Sequence, residues 1–100
     1  MQWVWTWGGE SFGYFDGEDL WTHDGRHVGK RNDDEIYGSN GQYLGELIDD
    51  DRLITNDAKS SYRDYPFTLY SNRSGYARYA NYAGYAMYAG HRDFPHPDTL

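Results

Sequence analysis

The chain has 100 residues, a formal net charge of −7, no cysteine, and aromatic side chains at 19% of its positions. This length predicts a single domain, and without cysteine there is neither a disulfide framework nor a thiolate site. The acidic balance argues against nucleic acid, because a phosphate backbone would be repelled, and no apolar stretch approaches the about 18 residues of a membrane helix.

The charge is unevenly distributed along the chain. Residues 1–56 carry four basic and twelve acidic side chains, a net −8, whereas residues 57–100 carry five basic and four acidic ones, a net +1. The compatible small partner of the first half is therefore a cationic ligand or a metal. The N-terminal MQWVWTWGGE has no basic region followed by a long apolar run, so we expect no signal peptide and a cytoplasmic location.

The first predicted element contains three alternating tryptophans, Trp3, Trp5 and Trp7. Alternation places all three on one face of a strand. They either form the wall of a core or present a surface that stacks on sugars, on cationic head groups or on a second copy of the chain.

A sixteen-residue unit then repeats three times between residues 4 and 56. Each unit has an apolar–aromatic pair, a turn glycine and an apolar–glycine pair, at the phases Val4/Leu20/Ile36, Trp5/Trp21/Tyr37, Gly9/Gly25/Gly41, Phe12/Val28/Leu44 and Gly13/Gly29/Gly45. The period suits one β-hairpin, and Asp24-Gly25 and Asn40-Gly41 favour a type I′ turn. A fourth hairpin, beginning at Arg52 or displaced to Leu69–Ala77, would bring the array to about eight strands, enough to close a small barrel.

The second glycine of each unit follows an apolar residue inside a predicted strand. A glycine there usually marks a β-bulge or a close approach of backbone. We therefore expect Gly13, Gly29 and Gly45 to let the strand bend or to let an aromatic ring lie across bare backbone.

The unit apolar–aromatic, x-x-x-Gly, x-aromatic-apolar-Gly resembles the hairpin repeat of the β-flower proteins, in particular the four-fold form. The residues that carry the resemblance are Ile36, Tyr37, Gly41, Tyr43, Leu44 and Gly45, with their counterparts one unit upstream. It covers residues 4–56 and extends to 69–80 if a displaced fourth copy lies there. The resemblance implies a shallow, symmetric arrangement of hairpins with an apolar centre, and it brings no catalytic residues.

Acidic residues occupy the return turns between the predicted hairpins. Because these turns share a repeat phase, a symmetric array would place their carboxylates on one rim, with Asp16, Asp19, Asp33, Glu35, Asp49 and Asp51 as the candidates. Such a rim could bind a hard cation, which needs several oxygen ligands. Acidic residues are also common in turns simply because they are solvated there, and we expect no metal site.

The segment YARYANYAGYAMYAG, Tyr76–Gly90, has tyrosine at every third position. In an α-helix the rings would wrap around the axis, so such a helix would be enclosed. In a polyproline-type chain all five would lie on one edge. We favour a helix packed at the centre of the array, with extended forms as the alternative.

The predicted organisation is one domain over residues 1–100. Hairpin repeats occupy 4–56, a loop 57–68, a degenerate repeat with the Tyr/Ala segment 69–90, and an irregular tail 91–100. The fold class is mostly β, with radially arranged hairpins in a β-flower or small barrel-like array. His23 and His27, and the tail group His91, Asp93 and His96, are expected to be ordinary surface residues.

Function is less constrained than fold. The sequence contains neither a nucleophile elbow nor a phosphate-binding loop, so we expect a non-catalytic binding or assembly module without a cofactor. One small core cannot hide this many rings, which predicts self-association or contact with an apolar or carbohydrate ligand. The candidate aromatic residues are Trp3, Trp5, Trp7, Trp21, Tyr37, Tyr79, Tyr82 and Tyr85. The alternatives are a carbohydrate- or cell-wall-binding repeat module and, less favoured, a small hydrolase that uses His and Asp near the tyrosines.

Overall fold

The computed structural model describes all 100 residues and confirms a mostly β fold. Its strands are β1 Gln2–Thr6, β2 Ser11–Asp16, β3 Asp19–Thr22, β4 His27–Asn32, β5 Glu35–Tyr37, β6 Tyr43–Ile48, β7 Arg52–Asn56 and β8 His91–Asp93. Two 3₁₀ turns, Asp57–Lys59 and Pro97–Thr99, complete the regular structure. At three residues each they are far too short to cross a membrane.

The strands form one sheet that closes on itself. Neighbours pair antiparallel in chain order from β1 to β8, and β1 also pairs in parallel with β7, which joins the first seven strands into a ring. At the closure Trp5 lies opposite Arg52 and Thr6 lies opposite Leu53. Closure removes the exposed edges that an open sheet would present. The predicted barrel-like array of hairpins is therefore confirmed.

Each of the first three hairpins contains a β-bulge at the same repeat phase. In the first hairpin Val4 faces Gly13 and the next residue, Trp5, faces Ser11, which leaves Phe12 as the extra residue. Phe12 is fully buried in the core. The bulge therefore sends the apolar side chain that precedes each strand glycine toward the centre of the ring.

The strand glycines also allow the predicted close approach of neighbouring backbone. A Cβ atom at Gly13 would lie 2.0 Å from the carbonyl oxygen of Trp21, and one at Gly45 would lie 2.5 Å from that of Ile54. Such distances leave no room for a side chain at Gly13 or Gly45. At Gly29 the approach is looser, with Ile36 Cγ2 at 3.1 Å and the carbonyl oxygen of Tyr37 at 3.2 Å from a Cβ atom. The bulge is thus present at all three glycines and the close approach of backbone at two of them.

The tight turns of the hairpins differ from the predicted type I′. The turn glycines Gly9, Gly25 and Gly41 have φ of 92°, 90° and 84°, but Asp24 and Asn40 are not in the positive-φ region. The N–H of each turn glycine bonds the carbonyl three residues earlier, as in a type I turn that ends in a left-handed residue. The prediction was wrong because glycine occupies the fourth position of the turn and not the third.

The fourth hairpin is interrupted rather than displaced. β7 and β8 pair through Ile54 and Asp93, and residues 57–90 are inserted between the two strands. Phe94, which follows β8, is buried and packs edge-on against Phe12 at 5.3 Å between ring centroids. The displaced copy predicted at Leu69–Ala77 is thus wrong, since that stretch contains no strand, and the predicted irregular tail supplies both β8 and a core residue.

The centre of the ring is filled by side chains of its own strands together with Phe94, which follows β8. The buried cluster consists of Val4, Phe12, Phe15, Leu20, Ile36, Leu53 and Phe94. No helix is present at the centre, because Tyr76–Gly90 is extended and exposed. The prediction of a central helix is therefore wrong: the repeat residues already occupy the space that such a helix would need.

Candidate functional site

Residues 61–90 form an extended segment, here called the strap, that passes over the turns of the three complete hairpins. Two strap N–H groups donate to two carbonyls at each turn: Asp64 and Phe67 to Gly41 and Ser39, Arg73 and Tyr76 to Gly25 and His23, and Tyr82 and Tyr85 to Gly9 and Trp7. The strap therefore meets the hairpins in the reverse of their chain order. The donors recur every nine residues and the acceptors every sixteen.

The strap sequence itself has a nine-residue repeat that the three-residue spacing of tyrosine had concealed. The units begin at Tyr62, Ser71 and Ala80, and each ends in tyrosine. Since a polyproline-type chain has three residues per turn, nine residues return the same side of the chain to each hairpin. A Cβ at Gly84 would lie 2.8 Å from the carbonyl oxygen of Gly8, so the glycines of the repeat mark where the strap touches a turn.

The strap builds a second aromatic layer on the outer side of β1. Its rings, called here the tyrosine band, are Tyr76, Tyr79, Tyr82, Tyr85 and Tyr88. Ring centroids lie 4.7 Å apart for Trp3 and Tyr79, 3.8 Å for Trp5 and Tyr82, and 5.1 Å for Trp7 and Tyr88. The indole N–H groups of Trp5 and Trp7 donate to strap carbonyls at 2.9 and 3.0 Å.

Burial differs sharply between the two sides of this layer. Trp5 and Trp7 are 7% and 3% exposed, whereas the tyrosines of the band are 45–52% exposed. Trp21 and Tyr37, the other aromatic candidates of the ring, are buried as well. Trp5, Trp7 and Trp21 are therefore buried and Trp3 is partly buried, so the candidate aromatic surface that remains available for contact is mainly the tyrosine band.

Two arginines fix the strap against the ring of strands: Arg52 lies beneath the strap, and Arg73 belongs to the strap and reaches the strands. The guanidinium of Arg52 is 4.1 Å from the ring centroid of Tyr85, and its Nη2 donates to the carbonyl of Ala83 at 3.1 Å. Arg73 covers the ring of Trp21 at 3.8 Å and pairs with Asp16 at 2.8 Å. Both contacts join residues far apart in the chain, so no local pattern could indicate them.

The rim carboxylates do not converge on one point, and three of the six candidates pair with cations of the protein: Asp16 with Arg73, Glu35 with Lys59 and Asp51 with Arg52. Glu35 and Glu46 both contact the ammonium of Lys59, at 2.8 and 2.7 Å, and the Lys59 hydrogen bond holds the pKa of Glu35 below its usual value. Asp33 and Asp49 have positive φ of 52° and 53°, so they form the return turns. No three His, Asp or Glu side chains come together in a way that could hold a metal ion.

His27 is buried, which contradicts its predicted place on the surface. It is 3% exposed. Its Nε2 lies 3.0 Å from an oxygen of Asp19 and 3.0 Å from the carbonyl of Gly29, and its Nδ1 accepts from the N–H of Tyr70 at 3.0 Å. Both ring nitrogens are therefore engaged, which leaves neither available as a general base.

The other histidines lie toward the surface of the protein. His23 contacts the carbonyl of Tyr76 at 3.2 Å, and His96 contacts Glu10 at 3.3 Å. The nearest partner of His91 is the carbonyl of Ala89 at 3.2 Å. The pairing of His91 with Asp93 that a hydrolase would have used is therefore not formed.

Two cavities lie where the strap leaves the ring partly uncovered. The first, of about 470 Å³, is lined by the apolar side chains of Val28, Leu44, Leu69 and Leu100, by Arg26 and His27, and by residues of the third hairpin turn. The second, of about 430 Å³, is polar and shallow, and is lined by Asp16, Asp19, Trp21, Tyr70, Ser71 and Arg73. Both lie beside the second hairpin turn, which bonds Arg73 and Tyr76 of the strap.

Comparisons of this chain with protein families, with curated proteins and with solved structures gave no match.

Proposed function

We propose that the protein is a non-catalytic binding module whose contact face is the tyrosine band. The observation that carries this proposal is the geometry of the band: five half-exposed rings on an extended strap, packed from beneath by the tryptophans of β1. Rings that are already ordered lose little conformational entropy when they meet a partner. Tyrosine is also typical of the cores of protein interfaces.

The partner that best fits the band is a second copy of this chain. Residues 74–90 contain one charged side chain, Arg78, in a chain of net charge −7. Two such bands can therefore face each other without bringing the acidic turns together. A two-fold arrangement closes and leaves no band uncovered. This makes assembly, rather than catalysis, the first candidate function.

Sedimentation velocity over a concentration series tests the proposal. Ala77→Glu and Met87→Glu introduce charge into the band at exposed positions without removing a ring, and Ala58→Glu makes the same change at an exposed position outside it. Like charges facing each other across an interface oppose association. We expect the two band variants to weaken self-association by about tenfold, or 1.4 kcal/mol, and Ala58→Glu to leave it unchanged. A wild-type protein that stays monomeric at its highest concentration would refute this candidate.

We also propose that the fold belongs with the four-fold β-flower proteins. Three bulged hairpins and a fourth that carries the strap as an insertion support this placement. An experimental structure with a different strand order would contradict it.

A second candidate function is saccharide binding. The polar cavity beneath Tyr70 favours it, because an exposed aromatic ring stands there beside carboxylates and a guanidinium.

A further inference from the structure

The four hairpins direct side chains of different size toward the centre of the ring, from the position that is the bulge residue in the first three. In chain order these side chains are Phe12, Val28, Leu44 and Phe94. Phe12 and Phe94 are at most 3% exposed and pack edge-on at 5.3 Å between ring centroids. Val28 and Leu44, on the second and third hairpins, are smaller and stay partly exposed. One half of the centre is therefore filled by two phenyl groups and the other half by two aliphatic groups.

Contacts with the strand glycines show that these positions are equivalent. A Cβ atom at Gly29 would lie 3.7 Å from Cδ1 of Leu44, and a Cβ atom at Gly45 would lie 2.5 Å from Cδ1 of Phe94. Each of these two side chains therefore covers the glycine of the hairpin before it. Because the arrangement repeats around the ring, the space that a phenyl group needs at the fourth hairpin has a counterpart at the third.

The cavity of about 470 Å³ opens on the half of the centre that holds the aliphatic groups. Its apolar side chains come from four separate parts of the chain: Val28 from the second hairpin, Leu44 from the third, Leu69 from the strap and Leu100 from the tail. Leu69 is the only leucine of the strap, and it is 45% exposed. Aliphatic groups that converge on one opening, with a few polar groups at its edge, are typical of small-molecule sites.

The polar edge of this cavity has no charge left for a ligand. Arg26, its one arginine or lysine, pairs with Asp24 at 3.3 Å and donates to the main-chain oxygens of Pro97 and Leu100. Both ring nitrogens of His27 are bonded within the protein. The other polar lining residues are uncharged and belong to the third hairpin, namely Ser39, Asn40 and Gln42. The lining therefore favours a neutral ligand over an anion or a cation.

We propose that this cavity binds a small neutral molecule with one aromatic ring. The ring packs against Val28, Leu44 and Leu69, and thus takes beside the second and third hairpins the place that phenyl groups of the chain take at the other two. A hydroxyl or amide substituent of the ligand faces the turn of the third hairpin. The volume of about 470 Å³ lies within the range of small-ligand sites, about 300–1,000 Å³. The site uses no residue of the tyrosine band and is independent of self-association.

Nuclear magnetic resonance of the full chain, with ¹³C-labelled valine and leucine methyl groups, gives a direct test. The probes are phenol, benzyl alcohol and benzamide, with benzoate as the charged comparison and methyl glucoside as a polar ring of similar size. We expect the methyl signals of Val28, Leu44 and Leu69 to shift and saturate with at least one neutral aromatic probe, while those of the core residues Leu20 and Leu53 stay in place. Cavity signals that no neutral aromatic probe moves, or that benzoate or methyl glucoside moves equally, would overturn the proposal.

Two variants alter the cavity in opposite ways. Leu44→Phe fills it with a phenyl group of the chain itself, as at Phe12 and Phe94, and should abolish binding of the responding probe without lowering the melting temperature. Leu69→Ala removes an exposed apolar wall and should weaken binding by about tenfold.

The matched control is Tyr62→Ala, which truncates another strap side chain, equally exposed at 45% and outside the cavity. This variant should bind the probe as the wild type does. Wild-type affinity in Leu69→Ala would contradict the assigned site whether or not Leu44→Phe folds. An equal loss of affinity in Tyr62→Ala and Leu69→Ala would also contradict it, since the loss would then not depend on the cavity.

Discussion

Gly25 is the position at which the contact between ring and strap can be measured most directly. Its φ is +90°, and a Cβ atom there would lie 2.1 Å from the carbonyl oxygen of Arg73. Gly25→Ala therefore imposes two costs, a left-handed backbone with a side chain and a displaced strap. Gly17 provides the matched control, because its φ is +61° and a Cβ there would meet nothing within 4 Å.

The expected magnitudes follow from these two costs. A non-glycine residue in the left-handed region costs roughly 1–2 kcal/mol. Moving the strap away also breaks the bonds from Arg73 to Gly25 and from Tyr76 to His23, each of which contributes about 0.5–1.5 kcal/mol. We expect Gly25→Ala to lower the free energy of unfolding by about 2–5 kcal/mol and Gly17→Ala by about 1–2 kcal/mol.

Equilibrium urea unfolding of both variants measures the difference, which isolates the contribution of the strap at about 1–3 kcal/mol. In a domain of this size each 1 kcal/mol shifts the melting temperature by about 4–8 °C, so a thermal scan gives an independent value. Equal destabilisation by the two substitutions would refute the reasoning, since it would mean that the strap does not press on the Gly25 turn.

Three further predictions concern the strap, the acidic return turns and the core. Amide exchange should protect Tyr82, whose N–H bonds the ring, but not Tyr79, whose N–H bonds no carbonyl; equal rates would contradict the proposed path of the strap. The Lys59 hydrogen bond lowers the pKa of Glu35 from 4.5, so its contribution to stability is present above that pH and is lost as the pH falls below it. Lys59→Gln should flatten this acid-side loss in unfolding measurements, and an unchanged profile would count against the pairing. Phe94→Ala should cost about 3–5 kcal/mol, measured by urea unfolding, and a surface-like loss below 1 kcal/mol would remove Phe94 from the core.

The parts of the fold that depend on the sixteen-residue repeat could be predicted from the sequence. The sixteen-residue period indicated hairpins, and the phase of Gly13 indicated a bulge with close backbone approach, because both features depend on neighbouring residues. The prediction of the turn type at Gly25 was wrong because a dipeptide does not show which position of the turn the glycine occupies. The position of the fourth hairpin was not predicted, because its two strands, which pair at Ile54 and Asp93, are separated in the sequence by the whole strap.

The sequence analysis grouped aromatic residues whose arrangement it could not give. Trp5 and Trp7 do contact the tyrosines of the strap, but they are buried beneath the exposed rings, whereas Trp21 and Tyr37 lie against other partners. Alternation along β1 shows that these tryptophans share a face, but it cannot show what covers that face. The contact of Arg52 with Tyr85 depends on where the strap crosses the ring, which no local pattern records.

Each nine-residue unit of the strap contacts one sixteen-residue hairpin unit, and this pairing explains the high number of aromatic side chains. One core could not bury all of them. The outer tryptophans of β1 are instead covered by the strap, which is inserted between β7 and β8. The five half-exposed rings of the tyrosine band therefore have an inner side that is already fixed by Trp3, Trp5 and Trp7. Each tyrosine of the band is positioned by a tryptophan of β1. A substitution in the strands beneath the strap should therefore change the position of the tyrosines and so the binding of any ligand or second copy. Substituting Trp5 is thus expected to alter the contact face without touching it, whereas in an independently flexible tail the same change would have no such effect.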